Sequence, residues 1–357
     1  MGLAALPFAM SLYDRVADLP FYVTTIERER NARETSSGFE RVTTTFVFRG
    51  PGGNTAGRGE DVTYDAVDHD ALDAAFDELT GRWTFAEFAA RLDDADLFPS
   101  KPPEREDSRH YRRWGLESAA LDLALKQSVT SLSEVFGVDP APVSFVASAR
   151  LPGGDTDRVH RLRERRPELG FKLDPEGDWP AETFADLRET SAVRILDLKG
   201  YYEGTEVDQA PDLDLYERVF DVPGTIVEDP ALTSETRPLV EANADRIAFD
   251  APVTGVESAD ALPVEPAWLN VKPSRFGSVE SLFDTIEWAA DNGVGCYGGG
   301  QFELDVGRTH VQLLASLLYP NAPNDVAPRV YNDPDVPADP PAIPLDAPTN
   351  ARGLEWG

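Results

Sequence analysis

Val193-Arg-Ile-Leu-Asp-Leu-Lys199, Gly224-Thr-Ile-Val-Glu-Asp-Pro230, Arg246-Ile-Ala-Phe-Asp-Ala-Pro252 and Trp268-Leu-Asn-Val-Lys-Pro-Ser274 are four short apolar runs, each with a charged residue near its end. Three similar runs flank them: Val143-Ser-Phe-Val-Ala-Ser-Ala-Arg150, Gly170-Phe-Lys-Leu-Asp174 and Val294-Gly-Cys-Tyr-Gly298. Runs of this length and character read as strands. Polar, periodic stretches separate them: Ala181 to Thr190, Ser234 to Asn243, and Ser278 to Asn292, where Val279, Leu282, Phe283, Ile286 and Ala289 or Ala290 repeat at helical spacing before a stop at Gly293. Strands alternating with helices mean βαβ units and a parallel sheet. Seven units closing on themselves give an α/β barrel, with a weak eighth strand expected near Asp325 to Val330. An open doubly wound sheet is the competitor; it is disfavoured because no Gly-rich dinucleotide turn opens the first βα unit.

The barrel reading covers residues 141–331. Residues 1–140 read as an α+β domain of their own. Phe46-Val-Phe-Arg-Gly suggests a strand and Gly57-Arg-Gly-Glu-Asp a turn, with helices over Ala71 to Leu79, Phe85 to Leu92 and Gly115 to Phe136. Residues 332–357 hold many prolines and little periodicity, and are expected as an extended strap anchored by Trp356.

The chain has 357 residues, 41% hydrophobic, enough for a sizeable core and unlike a disordered chain. No run of 18 apolar residues occurs, and the apolar start lacks a basic n-region, so neither a membrane span nor a signal peptide is expected; Met10 is an alternative start. A single cysteine, Cys296, excludes an intrachain disulfide and suits a reducing cytoplasm. The net charge of −31 argues against nucleic-acid or anionic-membrane partners, which need Lys and Arg. The acid is dispersed, and only five of the 33 basic residues are lysines (Lys101, Lys126, Lys172, Lys199, Lys272). Such a surface is expected of a protein adapted to a salt-rich cytoplasm, where screening removes self-repulsion. Binding of a cationic partner is the functional alternative. Three of the five lysines fall on the predicted strands, which makes each informative.

A barrel strand delivers its chemistry at its C-terminal end. Consecutive strands then end in Asp197, Glu228, Asp250 and Lys272, at intervals of 31, 22 and 22 residues. Three carboxylates converging at one barrel mouth repel one another, and a cation resolves this. All-oxygen ligation favours Mg²⁺ or Mn²⁺ over Zn²⁺.

The order Asp197, Val-Glu228-Asp-Pro, Ala-Phe-Asp250 and Asn-Val-Lys272-Pro-Ser resembles the enolase superfamily, in its muconate-lactonizing and o-succinylbenzoate-synthase-like branch. Arg113-Trp-Gly-Leu-Glu117 resembles the helix entering the barrel, Gly57-Arg-Gly-Glu60 part of a capping domain, and Gly298-Gly-Gly-Gln-Phe-Glu303 the segment after strand seven. The resemblance implies a modified TIM barrel, (β/α)₇β, under an N-terminal α+β capping domain. It also implies proton abstraction alpha to a carboxylate, with the metal stabilising the resulting enediolate.

The chain departs from that pattern in three places. The second-strand Lys-x-Lys reads Lys172-Leu-Asp174, the Asp-x-Asn after strand three reads Asp197-Leu-Lys199, and strand five gives Asp250-Ala-Pro where Asp-Glu is common. Residues i and i+2 of a strand face one side, so Lys172 with Asp174, and Asp197 with Lys199, face the barrel interior or mouth. A lysine lost from strand two and gained on strand three reads as a relocated cation. Lys199 either pairs with Asp174 or is a second acid/base group. Lys272 is the leading acid/base candidate, with an ion pair to Asp250 or Glu228 as the alternative.

Gly299 and Gly300 form either an anion-binding loop or a tight turn at the rim. Gln301 and Glu303 are expected to line the pocket, and Arg275 to contact a substrate carboxylate. Tyr201 and Tyr202 are read as packing, His310 as structural and Cys296 as core. The leading function is a lyase, dehydratase or o-succinylbenzoate-synthase-like reaction on a small carboxylic acid. An epimerase or racemase is the nearest alternative, using Lys272 with Lys172 or Lys199. A metal-free Schiff-base barrel and a non-catalytic binding barrel are the others. The expected partner is the small carboxylate substrate, with self-association into a homo-oligomer left open.

Overall fold

The computed structural model describes residues 10–72, 76–205, 207–349 and 351–356. The stretch Met1 to Ala9 and part of the helix expected over Ala71 to Leu79 lie outside them. Five strands come first: β1 (Pro20–Val23), β2 (Thr25–Glu34), β3 (Glu40–Arg49), β4 (Ala56–Asp61) and β5 (Gly81–Thr84). β2, β3 and β4 form an antiparallel sheet, and β1 pairs with β5. β3 is buried along nearly its whole length, whereas β2, Thr-Ile-Glu-Arg-Glu-Arg-Asn-Ala-Arg-Glu, is the exposed edge. Its charges make a poor template for further strand pairing. Two of them are satisfied by the next strands, Glu27 by Arg49 at 2.8 Å and Glu29 by Arg58 at 2.5 Å.

Residues 57–61, expected as a turn, form β4 instead. The glycines there serve close approach rather than reversal. The helix Ser108–Gln127 lies directly on β4, and a Cβ on Gly57 or Gly59 would stand 2.1 Å from the carbonyl oxygen of Ala119 or Gly115. Gly59→Ala is therefore expected to lower stability by about 3 kcal/mol through overpacking against backbone. Equal denaturant midpoints for variant and wild type would sink that reading. The helix expected over Gly115 to Phe136 is also two helices, Ser108–Gln127 and Leu132–Phe136. The chain breaks where Val129 takes a left-handed φ of 55° and Ser131 begins the second helix with a capping box to Glu134.

The barrel follows as β6 (Val146–Ala149), β7 (Gly170–Leu173), β8 (Val193–Asp197), β9 (Ile226–Glu228), β10 (Ile247–Phe249), β11 (Trp268–Val271) and β12 (Gly295–Gly298). They pair in parallel in sequence order, each within a run the sequence marks as a strand. Val146, Ile195, Ile226, Ala248 and Tyr297 form a cluster of their own among inward-facing residues of the strands, apart from the main core. The eighth position is a stub. Asn324 bridges Phe145 and Asp325 bridges Gly299, both in parallel. Asn324 closes the ring with its amide: Nδ2 donates to the Ser144 carbonyl at 3.0 Å, and Oδ1 accepts the Gly298 N–H at 2.7 Å. The C-terminal stretch runs back beside the start of β6, pairing Leu345 with Val143 and Gly353 with Ser131.

The first domain sits on the barrel through buried charge. Glu60 of β4 accepts the backbone N–H groups of Leu304, Asp305 and Gly307 at 2.7, 3.0 and 2.9 Å, so it fixes the loop after β12. Arg41 of β3 is fully buried and donates to the carbonyls of Val62, Thr63 and Gln301. Among the described residues no helix is long and apolar enough to cross a membrane.

Candidate active site at the barrel mouth

Asp197 and Glu228 are the last residues of β8 and β9; Asp250 and Lys272 each directly follow a strand, β10 and β11. Because every strand is parallel, these ends share one face, and all four side chains are buried. Lys172, from the middle of β7, reaches the same place. Its Nζ lies 2.5 Å from Glu228 Oε1 and 3.1 Å from Asp197 Oδ2. Glu228 also accepts from Asn270 Nδ2 at 3.2 Å and, on its other oxygen, from the Tyr297 hydroxyl at 2.5 Å.

Asp250 forms a second knot. Lys272 Nζ lies 2.6 Å from its Oδ2 and Arg275 Nε 2.9 Å from its Oδ1. The Tyr202 hydroxyl donates to Oδ2 at 2.9 Å and accepts from Arg275 Nη2 at 2.8 Å. The ion pair foreseen as the alternative for Lys272 is thus formed. Tyr202 lies in this knot, whereas Tyr201 packs edge-on against Phe249. Lys199 Nζ lies 3.5 Å from Asp174 and hydrogen-bonds Asp197, so the lysine of strand three does meet the aspartate of strand two. Lys199 holds a left-handed φ of 54°, with its N–H on Asp197 Oδ1 at 3.1 Å.

Asp229, one residue past Glu228, is fully buried and also left-handed, with φ 48°. Its two oxygens accept the N–H groups of Asp250 and Ala251 at 2.8 and 2.9 Å. Asp197, Glu228 and Asp229 each offer an oxygen, and these lie within 4.8 Å of one another. Such a hard-oxygen set suits a divalent cation.

Burial works against ionisation throughout this ring, and neighbouring charges decide the balance. For Asp197, Lys199 and Lys172 overcome burial and hold the carboxyl well below the usual range. Arg275 and Lys272 do the same for Asp250. Glu228 is pushed up to about 8 by burial and by Asp197, and Asp229 to about 7 by burial, Asp250 and Asp197. Lys172 is raised well above an ordinary lysine: burial opposes this, but Glu228 and Asp197 prevail.

These directions predict a pH dependence. A carboxyl raised in the folded protein keeps its proton there after the unfolded chain has lost it, near pH 4. Its burial therefore costs stability progressively as pH rises toward the folded value. Without divalent metal, the melting temperature is expected to fall between about pH 4.5 and 8, from the unfolded range up to the folded value of Glu228. The fall should be shallower in Glu228→Gln, which carries no proton to lose. Buried Glu60, Glu117 and Asp122 shift the same way and contribute equally to both proteins. Identical slopes would move the retained proton away from Glu228.

The other sequence candidates lie around the rim. Gly299 packs against β11, where a Cβ would stand 2.1 Å from Asn270 Oδ1 and 2.9 Å from Lys272 Cγ. Gly300 packs against Glu303, whose carboxylate lies 3.0 Å from Arg308 and accepts the Gln301 N–H at 2.6 Å. Gln301 accepts from the Tyr64 hydroxyl of the first domain at 2.7 Å. Arg275 spends Nε and Nη2 inside the ring. His310 is buried in the helix Val306–Leu318 and Cys296 in β12. Sequence reading did not single out Asp229, Asn270 and Tyr297. Alternation gave a signal for Asn270, two residues before Lys272, whereas Tyr297 sits inside an apolar run with nothing to distinguish it.

Parallel strands closed into a barrel, a carboxylate ring at their C-terminal ends and an antiparallel domain over the mouth define the enolase-superfamily fold. Many solved structures share it. Muconate cycloisomerase from Pseudomonas fluorescens matches with TM-score 0.69 and 18% identity, over 94% of this chain and 96% of that one. A dipeptide epimerase from Methylococcus capsulatus, complexed with Mg and the dipeptide L-Arg-D-Lys, matches with TM-score 0.69 and 18% identity, over 94% and 99%. An enolase-superfamily member of unknown function from Enterococcus faecalis V583 gives 0.63 and 18%, over 94% and 95%. Within that fold the chain belongs to the DUF8230 family, a domain of unknown function: its N-terminal domain model matches residues 14–135 and its C-terminal domain model residues 139–333. No curated protein matches the sequence.

Proposed function

We propose that this chain is a divalent-metal-dependent enzyme that removes a proton alpha to a carboxylate of a small acid, working in the cytoplasm. In this reading Asp197, Glu228 and Asp250 hold Mg²⁺ or Mn²⁺, and Lys272 is the acid/base group. The observation that carries it is the ring itself: buried carboxylates on three successive strand ends, with a lysine reaching them from β7 and another from just past β11. The clustered oxygens of Asp197, Glu228 and Asp229 fit such an ion by donor chemistry. Asp229 has both oxygens on backbone N–H groups, which makes it the support for Asp250 rather than the third ligand. Bound there, the ion supplies fixed positive charge against the substrate carboxylate.

The chain's own residues do the rest. Lys272 Nζ exchanges the proton, Arg275 and Tyr202 orient Asp250, and Glu60 fixes the loop after β12. The sixth-strand lysine suits a lyase or dehydratase, because with Asp174 in place of the second strand-two lysine it can act alone. An epimerase is the second reading, favoured by Lys172 entering the same ring from the second strand. The dipeptide epimerase among the similar folds supports both the metal and this alternative.

Thermal melts test the metal site. Mg²⁺ at about 100 times its Kd should stabilise the wild-type protein by about 2.7 kcal/mol. Glu228→Gln and Asp250→Asn should lose that gain, while Asp229→Asn should keep part of it. No Mg²⁺ or Mn²⁺ response in chelator-treated wild type would move the weight to a Schiff-base or binding barrel.

A further inference from the structure

The Lys172 ammonium group stands on the two oxygens a metal would need. Glu228 turns its other oxygen to the Tyr297 hydroxyl, and Asp197 turns its other oxygen to the Lys199 N–H. The oxygens facing the ring are Glu228 Oε1, which also accepts from Asn270, and Asp197 Oδ2, which Lys199 Nζ also hydrogen-bonds; Lys172 Nζ lies 2.5 and 3.1 Å from them and is, among the described residues, the cation that touches both. A divalent ion bound to both at about 2.1 Å would lie against the ammonium group, and two cations in such contact repel strongly. A second station exists. Asp325 Oδ2, on the stub that closes the barrel, lies 4.0 Å from the same Nζ, and its side chain is partly exposed. The four-carbon stem of a lysine can cover that distance without backbone movement.

We propose that Lys172 is an internal counter-cation which metal binding displaces toward Asp325, so that metal loading itself releases this lysine for chemistry at the mouth. The inference rests on the metal reading above. It gives the ring two alternative neutralised states, one closed by an ammonium group and one by a divalent ion. It also explains how the carboxylates tolerate each other before any metal arrives.

Pulsed acylation of the full-length protein with acetic anhydride, read by peptide mass spectrometry, tests it directly. Mg²⁺ alone is the probe, surface Lys101 the internal standard, and melting temperature is followed in parallel. The expected result is a severalfold rise in Lys172 acylation at the Mg²⁺ concentrations that raise the melting temperature, with a smaller rise at Lys199, which touches Asp197 Oδ2 but not Glu228 and keeps Asp174 as a partner. A melting shift without a rise at Lys172 overturns the displacement and leaves the metal site standing. Absence of any shift overturns both. A second measurement covers indirect effects. Lys172→Met is expected to bind Mg²⁺ about tenfold tighter, since no group has to be evicted. Lys199→Met removes an equal charge from Asp197 without vacating both oxygens, and should gain much less. Equal gains, or weaker binding in Lys172→Met, overturn the proposal.

Discussion

Lys272→Met is expected to lower α-proton exchange by about 10³-fold, the scale of a general acid/base group, while leaving the fold intact. The second half of that expectation comes from the geometry of Asp250. With the lysine gone, its carboxylate keeps Arg275 at 2.9 Å and the Tyr202 hydroxyl at 2.9 Å, so it is not stranded. Methionine matches the stem of lysine and keeps contact with Gly299. Exchange is measured by NMR in deuterated buffer over a panel of small carboxylic acids, with the Mg²⁺-dependent melting shift as a control. An active variant would remove Lys272 from the chemistry and turn attention to Lys172. Loss of exchange together with collapse of the melting transition would show only that the ion pair is structural.

The largest loss of stability is expected at Arg112→Met, in the first domain. Arg112 and Asp61 form an ion pair at 2.9 Å, with side chains 1% and 0% exposed. The guanidinium group also donates to the carbonyls of Leu97 and Asp68 and lies 3.7 Å over the Phe98 ring. Its removal strands a buried carboxylate that burial disfavours and that Arg112 and His69 hold ionised. Breaking one side of such a pair costs about 3–5 kcal/mol, or a fall in melting temperature on the order of 10 °C. The exposed pair Arg109–Glu106, one turn away, makes the internal comparison, and Arg109→Met should change little. Adding Asp61→Asn to Arg112→Met should restore much of the loss, because the orphaned charge goes with it. A double variant as unstable as the single one would show that shape, rather than charge, is what Arg112 provides.

Much of the barrel was legible because its chemistry interrupts its hydrophobicity. Asp197, Glu228, Asp250 and Lys272 stand out as charges closing short apolar runs, and parallel strands must bring such ends together. The pairing of Lys199 with Asp174 was legible from strand alternation. What stayed hidden was of two kinds. Tyr297 looks like an ordinary strand residue, and only the third dimension turns it toward Glu228, whereas Asn270 had its alternation with Lys272 alone to mark it. Gly57 and Gly59 look like a turn because glycine permits reversal and close contact equally well, and sequence does not say which is needed. The break at Val129 was invisible for a related reason: a β-branched residue with φ of 55° is imposed by tertiary context, against its own preference.

The seam between β12 and β6 has one more consequence. Seven staves of this barrel are joined edge to edge, but the eighth is a fragment, and the amide of Asn324 rivets it to both neighbours. A cask with a short stave stays tight only if something binds it from outside. The C-terminal stretch is that hoop, laid along the chain entering β6 at Val143 and tied off at Ser131. Damage to this remote, proline-rich segment would therefore be felt first where the chain enters β6, the strand to which Asn324 is riveted.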